Sequence, residues 1–317
     1  MKKITTYKLL FKSIATIAAL AYTVFAMSQQ EPQYTHYMFN TMSVNPAYTG
    51  TTNSLNMLLL SRIQWVGVEG APRSHTFTAH APVKSKKIGV GASIITDQTG
   101  PVTNTYMNLN YAYRINLRDK GVLSLGLKGG INNYVIKLVG TELSEASNDI
   151  SFENDIHKRF QPNIGTGAYL YTSKYYVGFS IPKLLQTSLK DIEQGEQDVS
   201  EIKRHYFIIT GYIFDIKKDI KLKPSVLTKV VQGAPPSTDI TIQALYKEKY
   251  WLGTTYRIGD AISILMNFQL NNQLLVGYSY DFTVSGMNNI TNGSHEIMIS
   301  YDFSGFTPDK VKSPRYF

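Results

Sequence analysis

The sequence predicts an all-β protein, a transmembrane antiparallel β-barrel of the outer-membrane type with about 14 strands. Three observations carry this reading. An export leader heads the chain, no later window approaches eighteen consecutive apolar residues, and from about residue 54 apolar and polar residues alternate with period two.

The leader comes first. Lys2, Lys3, Lys8 and Lys12 precede an apolar stretch from Ile14 to Phe25, followed by small residues around Ala26 and Ser28. That stretch is about twelve residues long, whereas a spanning helix needs about twenty. Residues 1–28 are therefore expected to be a cleaved signal peptide rather than a membrane anchor, with the mature chain starting at Gln29 or Met27. Together with the barrel that follows it, such a leader makes the outer membrane of a Gram-negative bacterium the expected location.

Composition removes several classes. There is no cysteine, so lipid attachment through a thioether, a disulfide framework and thiolate metal sites are excluded. The formal charge is +9, but four of those positives belong to the leader, and the +5 left on the mature chain does not call for nucleic acid. Mean hydropathy is −0.16, which speaks against helical membrane spans. The chain carries 22 tyrosines and 14 phenylalanines, and an apolar ring with a wet hydroxyl suits the aromatic girdles where a barrel meets the two water interfaces.

Residues 29–53 are expected to form an N-terminal periplasmic or plug segment. They are too rich in Gln, Asn, Thr and Tyr to face lipid, and Tyr34, Tyr37, Phe39 and Tyr48 are the candidate anchors inside the barrel or at its periplasmic mouth. The barrel itself is placed at 54–304, with strands at 54–65, 73–83, 87–97, 102–117, 121–136, 161–172, 174–181, 203–216, 219–231, 237–247, 250–259, 261–271, 273–284 and 294–304. Residues 305–317 are read as a periplasmic tail.

The fourth strand shows the logic. Met107, Leu109, Tyr111, Tyr113, Ile115 and Leu117 share one parity, while Asn104, Asn108, Asn110, Ala112, Arg114 and Asn116 share the other. Successive side chains of a strand point to opposite faces, so one face is greasy and one rich in amides. The same split recurs in Ile262, Ile264, Met266 and Phe268 against Ser263, Asn267 and Gln269. It recurs again in Leu274, Val276, Tyr278, Tyr280 and Phe282 against Gly277, Ser279 and Asp281. A soluble sandwich would bury the greasy face against a second sheet; a membrane barrel gives it to lipid and lines its lumen with the polar one.

The connections favour the barrel. Turns at 84–86, 118–120, 173–174, 215–218, 247–249 and 271–273 are short, whereas 66–72, 137–160, 182–202, 232–236 and 285–293 are mostly longer. Short periplasmic turns alternating with longer outside loops is the outer-membrane pattern, with the short connection at Gly259 and Asp260 as an exception.

Candidate chemistry is sparse. His75 and His80 lie on opposite faces of one strand, and His36, His157, His205 and His295 are scattered, reading as girdle or loop histidines. No serine, histidine and carboxylate obviously converge, although His157 in an acidic loop leaves a rim hydrolase open. Gly89, Gly91, Gly126, Gly129 and Gly130 lack a following helix, so they read as strand bends or close backbone approaches rather than a phosphate loop. Arg114, Lys229 and Arg257 are read as lumen-lining charges. No cofactor or metal is expected.

Several stretches resemble one family. Gln33-Tyr34-Thr35-His36-Tyr37-Met38-Phe39-Asn40 with Asn45-Pro46-Ala47-Tyr48-Thr49-Gly50, Gln64-Trp65-Val66-Gly67 with Gly70-Ala71-Pro72, Gly178 to Leu185, and Gly293 to Phe303 are similar to the PorP/SprF proteins of type IX secretion. The resemblance implies a non-enzymatic outer-membrane barrel for secretion or surface attachment of a large adhesin bearing a type B C-terminal sorting domain, often for gliding. Its implied partners are that adhesin, other type IX secretion components, and outer-membrane lipid and lipopolysaccharide. The rival is a diffusion porin or hydrophobic-solute channel with an N-terminal plug.

Partner contacts are sought on the outer loops. Trp65, Gly70, Ala71 and Pro72 lie on one. Glu142, Glu145, Asp149, Glu153 and Asp155 fall in a second, and Asp191, Glu193, Glu196, Asp198 and Glu201 in a third, so these two acidic loops hold ten of the 23 acidic residues. Loops on a rigid barrel are where binding tends to be placed, but a charge run is also an ordinary solvated face among lipopolysaccharide and divalent ions.

Overall fold

The computed structural model describes residues 31–52, 54–83, 87–118, 121–137, 156–186 and 203–303, with the backbone alone over 156–159. The expected leader, the tail and both acidic loops lie outside the described residues.

The strands are β1 (Leu55–Ile63), β2 (Arg73–Pro82), β3 (Ile88–Thr99), β4 (Val102–Asn116), β5 (Val122–Ile136), β6 (Ile156–Tyr171), β7 (Tyr175–Ile181), β8 (His205–Tyr212), β9 (Phe214–Lys217), β10 (Ile220–Val231), β11 (Ser237–Tyr246), β12 (Tyr250–Arg257), β13 (Ala261–Gln269), β14 (Leu274–Thr283) and β15 (Ser294–Phe303). The two short pieces β8 and β9 both pair with β10 and form one stave broken at Ile213, so the fifteen segments make a 14-strand barrel. Every neighbour is antiparallel. Closure runs from Leu55 opposite Phe303 to Ile63 opposite His295. Hydrocarbon offers no hydrogen-bond partner, so a sheet in lipid must close in this way.

The two parities read from the sequence point as expected. On β4, Leu109 is 71% exposed while Ala112 is fully buried, and on β15 Ile297 is 55% exposed while its neighbours Glu296 and Met298 are fully buried. Outward rings cluster near the strand ends: Tyr212 with Phe214, Tyr250 with Phe268 and Tyr301 with Phe303 on the short-turn side, and Tyr280 with Phe282 on the long-loop side. Turn chemistry sets the hairpins. Lys247 and Glu248 both take positive φ, as the tightest hairpin turn requires. The Asn271 side chain accepts from the N–H groups of Gln273 and Leu274.

The structure departs from the sequence reading in two places. β6 starts at Ile156 instead of residue 161, so the preceding connection is shorter than expected and His157 lies in a strand rather than a loop. Lys158, Arg159 and Pro162 had hidden this by breaking the alternation. A bulge absorbs the mismatch, with Phe160 at φ 55° and a register shift between Asn132 and Tyr134. Gly100–Pro101 is a second short connection on the long-loop side, joining β3 to β4.

Candidate functional site

The barrel's polar face and residues 31–52 meet in the lumen. The segment bonds to β2, β4, β5, β7, β10, β11, β14 and β15, strands spread around the barrel, so it lies inside. Wall residues such as Ser124, Thr241, Gln243, Ser263, Ser279 and Met298 have no exposed surface, and neither do Thr35, His36, Tyr37, Ala47 and Thr49 of the segment. The lumen is filled at that depth.

Local sequence explains the segment's shape. A single helical turn at Thr41–Val44 leads to a 3-10 turn at Pro46–Tyr48. Asn45 caps the second turn by accepting the Ala47 N–H at 2.9 Å, and Pro46 suits a first helical position because it has no N–H to satisfy. The Asn45 amide also donates to the carbonyls of Ala168 at 3.1 Å and Phe179 at 3.4 Å, so this turn dipeptide staples the segment to β6 and β7. Its backbone approaches the wall where the wall has no side chain. A Cβ at Gly126 would overlap the backbone of Pro46 and Ala47, and one at Gly89 would overlap the Thr49 carbonyl. Gly129 meets no such neighbour.

The four expected anchors sit as follows. The Tyr34 hydroxyl shares a 2.8 Å hydrogen bond with Thr76. The Tyr37 hydroxyl reaches Ser225 at 3.2 Å and Thr241 at 3.1 Å. Phe39 is half-buried, edge-on to Trp251 with centroids 6.2 Å apart. Tyr48 packs edge-on against Tyr169 and His80, each 5.6 Å away.

A buried charge network holds the segment at Thr35 and His36. Glu296 on β15 accepts the Thr35 N–H at 2.9 Å and the His36 N–H at 2.7 Å, and lies 2.7 Å from His36 Nδ1. Arg62 on β1 approaches Glu296 at 3.4 Å and Asp281 on β14 at 2.6 Å. The Thr35 hydroxyl donates to Asp281 and accepts from Arg62. Arg257 on β12 continues the chain, 3.4 Å from Asp281 and 3.0 Å from Asp239 on β11. His36 is thus a network residue and not the girdle or loop histidine expected. The sequence held a usable signal: Arg62, Asp239, Arg257, Asp281 and Glu296 all fall on lumen-facing parities, where buried charges must be paired. Missing from the sequence was which of them face one another across the register.

At the long-loop mouth, Glu31 pairs with Lys183 at 2.6 Å, and the Lys183 ammonium stands 3.5 Å from the Tyr106 ring centre. Burial alone would raise the Glu31 carboxyl and lower the Lys183 ammonium. Mutual attraction wins, holding Glu31 below the ordinary carboxylate value and Lys183 above its own.

The loop carrying Trp65, Gly70, Ala71 and Pro72 is stitched to its neighbours. The Trp65 N–H donates to the Ser294 hydroxyl at 3.1 Å, Val66 and Gly293 pair at 2.8 Å, and Gly100 donates to the Gly70 carbonyl at 2.8 Å. The Ala71 N–H turns back to Val68, and the Pro72 carbonyl accepts from Gln64. Glu142, Glu145, Asp149, Asp191, Glu193 and Glu196 lie outside the described residues. Lys229, Arg257 and Arg114 face the lumen, and Arg114 donates to the carbonyls of Gly50 and Ile88.

Chemically, the network holds the segment and does not offer a reaction centre, because water and substrate have no access to His36, Glu296 or Thr35. Among the described residues, no group of three His, Asp or Glu side chains could hold a metal ion. The family model for the type IX secretion system membrane protein PorP/SprF matches residues 26–301. The chain belongs to the PorP/SprF family. Fold and family place it in the outer membrane and in type IX secretion. A search of curated proteins found no match. Among solved structures it is similar to the Ralstonia pickettii toluene transporter TbuX (11% identity, 82% of this chain and 92% of that one, TM-score 0.49). It is also similar to the Acinetobacter baumannii outer membrane protein Omp33 (8% identity, 80% and 100%, TM-score 0.46). At such identities and scores these likenesses say nothing of a substrate or partner.

Proposed function

We propose that this PorP/SprF barrel is a non-enzymatic partner of one secreted adhesin with a type B C-terminal sorting domain, acting in its secretion or surface attachment, with gliding as the process served. The family match over residues 26–301 carries the reading. The filled lumen supports it, since a barrel occupied by its own chain is poorly suited to passing solutes. In this reading residues 29–53 are a plug, with Tyr34, Tyr37, Phe39 and Tyr48 among its anchors, and the signal peptide is removed on export. The partner lands on the outer rim: Trp65 and Gly70 to Pro72 on the stitched loop, with Glu142, Glu145, Asp149, Asp191, Glu193 and Glu196 as its charged component. Contacts at such a rim weaken with salt over a screening length of about 8–10 Å.

Two experiments test this. Changing the ten carboxylates of the two acidic loops to Asn and Gln, with barrel assembly checked, is expected to lower adhesin retained on cells. Unchanged retention moves binding to the Trp65 loop, the lumen or the periplasmic side. Purified protein in liposomes is expected not to swell them in sugar solutions; ready swelling favours the channel reading instead.

A further inference from the structure

The internal segment has a direction. Its contacts descend the barrel in chain order. Glu31 binds Lys183, two residues beyond the long-loop end of β7. Thr35 and His36 bind Glu296 and Asp281, both near the long-loop ends of β15 and β14. Tyr37 reaches mid-depth at Ser225 and Thr241, and Ser43 accepts from Lys128, midway along β5. Ala47 packs on Gly126, Thr49 on Gly89 and Gly50 on Ala81, each closer to the short-turn ends of their strands. Thr52 then bonds the Ser54 carbonyl, and β1 begins at that same side.

We infer that the chain is threaded through its own barrel from the cell-surface mouth toward the periplasm, so that Glu31, the first residue described, stands at the long-loop mouth. An ordinary reading of export leaves the N-terminus of an outer-membrane barrel in the periplasm, and the sequence alone suggested nothing else. Two consequences follow. Glu31 and Pro32 stand at the mouth on which a secreted partner would land. The segment is also rooted at its inner end by the covalent link into β1 and by close packing on glycines, while its outer end is tied at Glu31 to Lys183. Any release of the segment would therefore start from the cell surface. The inference rests on barrel orientation and not on secretion, so it stands or falls separately from the proposed function.

The absence of native cysteine makes the test direct. Gln30→Cys, expressed in whole cells and treated with a membrane-impermeant maleimide, is expected to react before the cells are opened. Lys249→Cys in a short turn serves as the opposite control and is expected to react only after the outer membrane is permeabilised. Reaction of Gln30→Cys only after permeabilisation overturns the inference. If the thiol is shielded in both states, Pro32→Cys with Ser237→Cys, two residues that line one cavity near the long-loop mouth and leave the Glu31–Lys183 pair intact, and a short bismaleimide decides the matter. Cross-linking within folded barrels, read as a mobility shift, supports the threading, and none in heat-modifiable barrels overturns it.

Discussion

Replacing Glu296 by alanine should undock the internal segment without dismantling the barrel. The side chain accepts two backbone N–H groups, from Thr35 and His36, and contacts His36 Nδ1 and Arg62, all without exposure to water. Leaving two buried donors unsatisfied costs about 1–3 kcal/mol each. Arg62 keeps Asp281 at 2.6 Å, so the loss stays near the roughly 3–5 kcal/mol typical of breaking a buried pair. At about 1.4 kcal/mol per tenfold, the undocked population should rise by about 10²- to 10⁴-fold. Proteolysis tracks that population when redocking is fast. The assay is therefore the rate at which a protease nicks between Gln33 and Asn40 in purified barrels that remain heat-modifiable on gels. Glu296→Gln keeps a carbonyl acceptor and should give only about a tenfold rise, from about 1–2 kcal/mol. Ile297→Ala, on the lipid side of the same strand, should give none. Nicking of Glu296→Ala at the wild-type rate would refute the assignment of the network as a tie that holds Thr35 and His36 in place.

Other perturbations have equally definite outcomes. Gly89→Ala and Gly126→Ala should each lower the temperature of the heat-modifiable transition, at a cost of about 1–3 kcal/mol for overpacking, while Gly129→Ala, with open space beside it, should not. Leu109→Arg places a charge on the lipid face at a cost of about 2–4 kcal/mol near mid-membrane, and should reduce assembled protein as judged by the folded gel band. Phe303→Asp at the end of the closing strand should do the same. The Glu31–Lys183 tie is expected to hold at neutral pH: a carboxyl whose folded value is depressed contributes fully above the ordinary value of about 4.5 and loses that contribution only as pH falls through the lower folded value. Nicking near Pro32 in the unaltered protein should therefore stay slow down to that range, and Glu31→Gln should loosen the outer end at every pH, seen as faster nicking at the same place.

The architecture was legible because the two periods in the sequence map onto two solvents. Leu109 and Ala112 differ in parity, and lipid and lumen sort them accordingly. Turn residues marked the strand ends well, except at β6, where Lys158, Arg159 and Pro162 break the alternation although the backbone still pairs. The interior was legible only in part. Tyr34, Tyr37 and Tyr48 stood out by residue type and lie inside, but the His36–Glu296–Arg62–Asp281–Arg257–Asp239 chain spans residues more than two hundred positions apart. Such pairing depends on the closing register of β1 with β15, which periodicity does not report. The glycines at 89 and 126 were legible as sites of close approach, though not what approaches them.

The account's central claim is that this plugged barrel serves one secreted adhesin, and the most direct measurement is the surface and medium proteome of cells lacking this chain. Loss from the surface of one large protein with a type B C-terminal sorting domain, with other surface proteins and small-solute uptake unchanged, is the predicted result. An unchanged surface proteome together with reduced uptake of a small solute would contradict it.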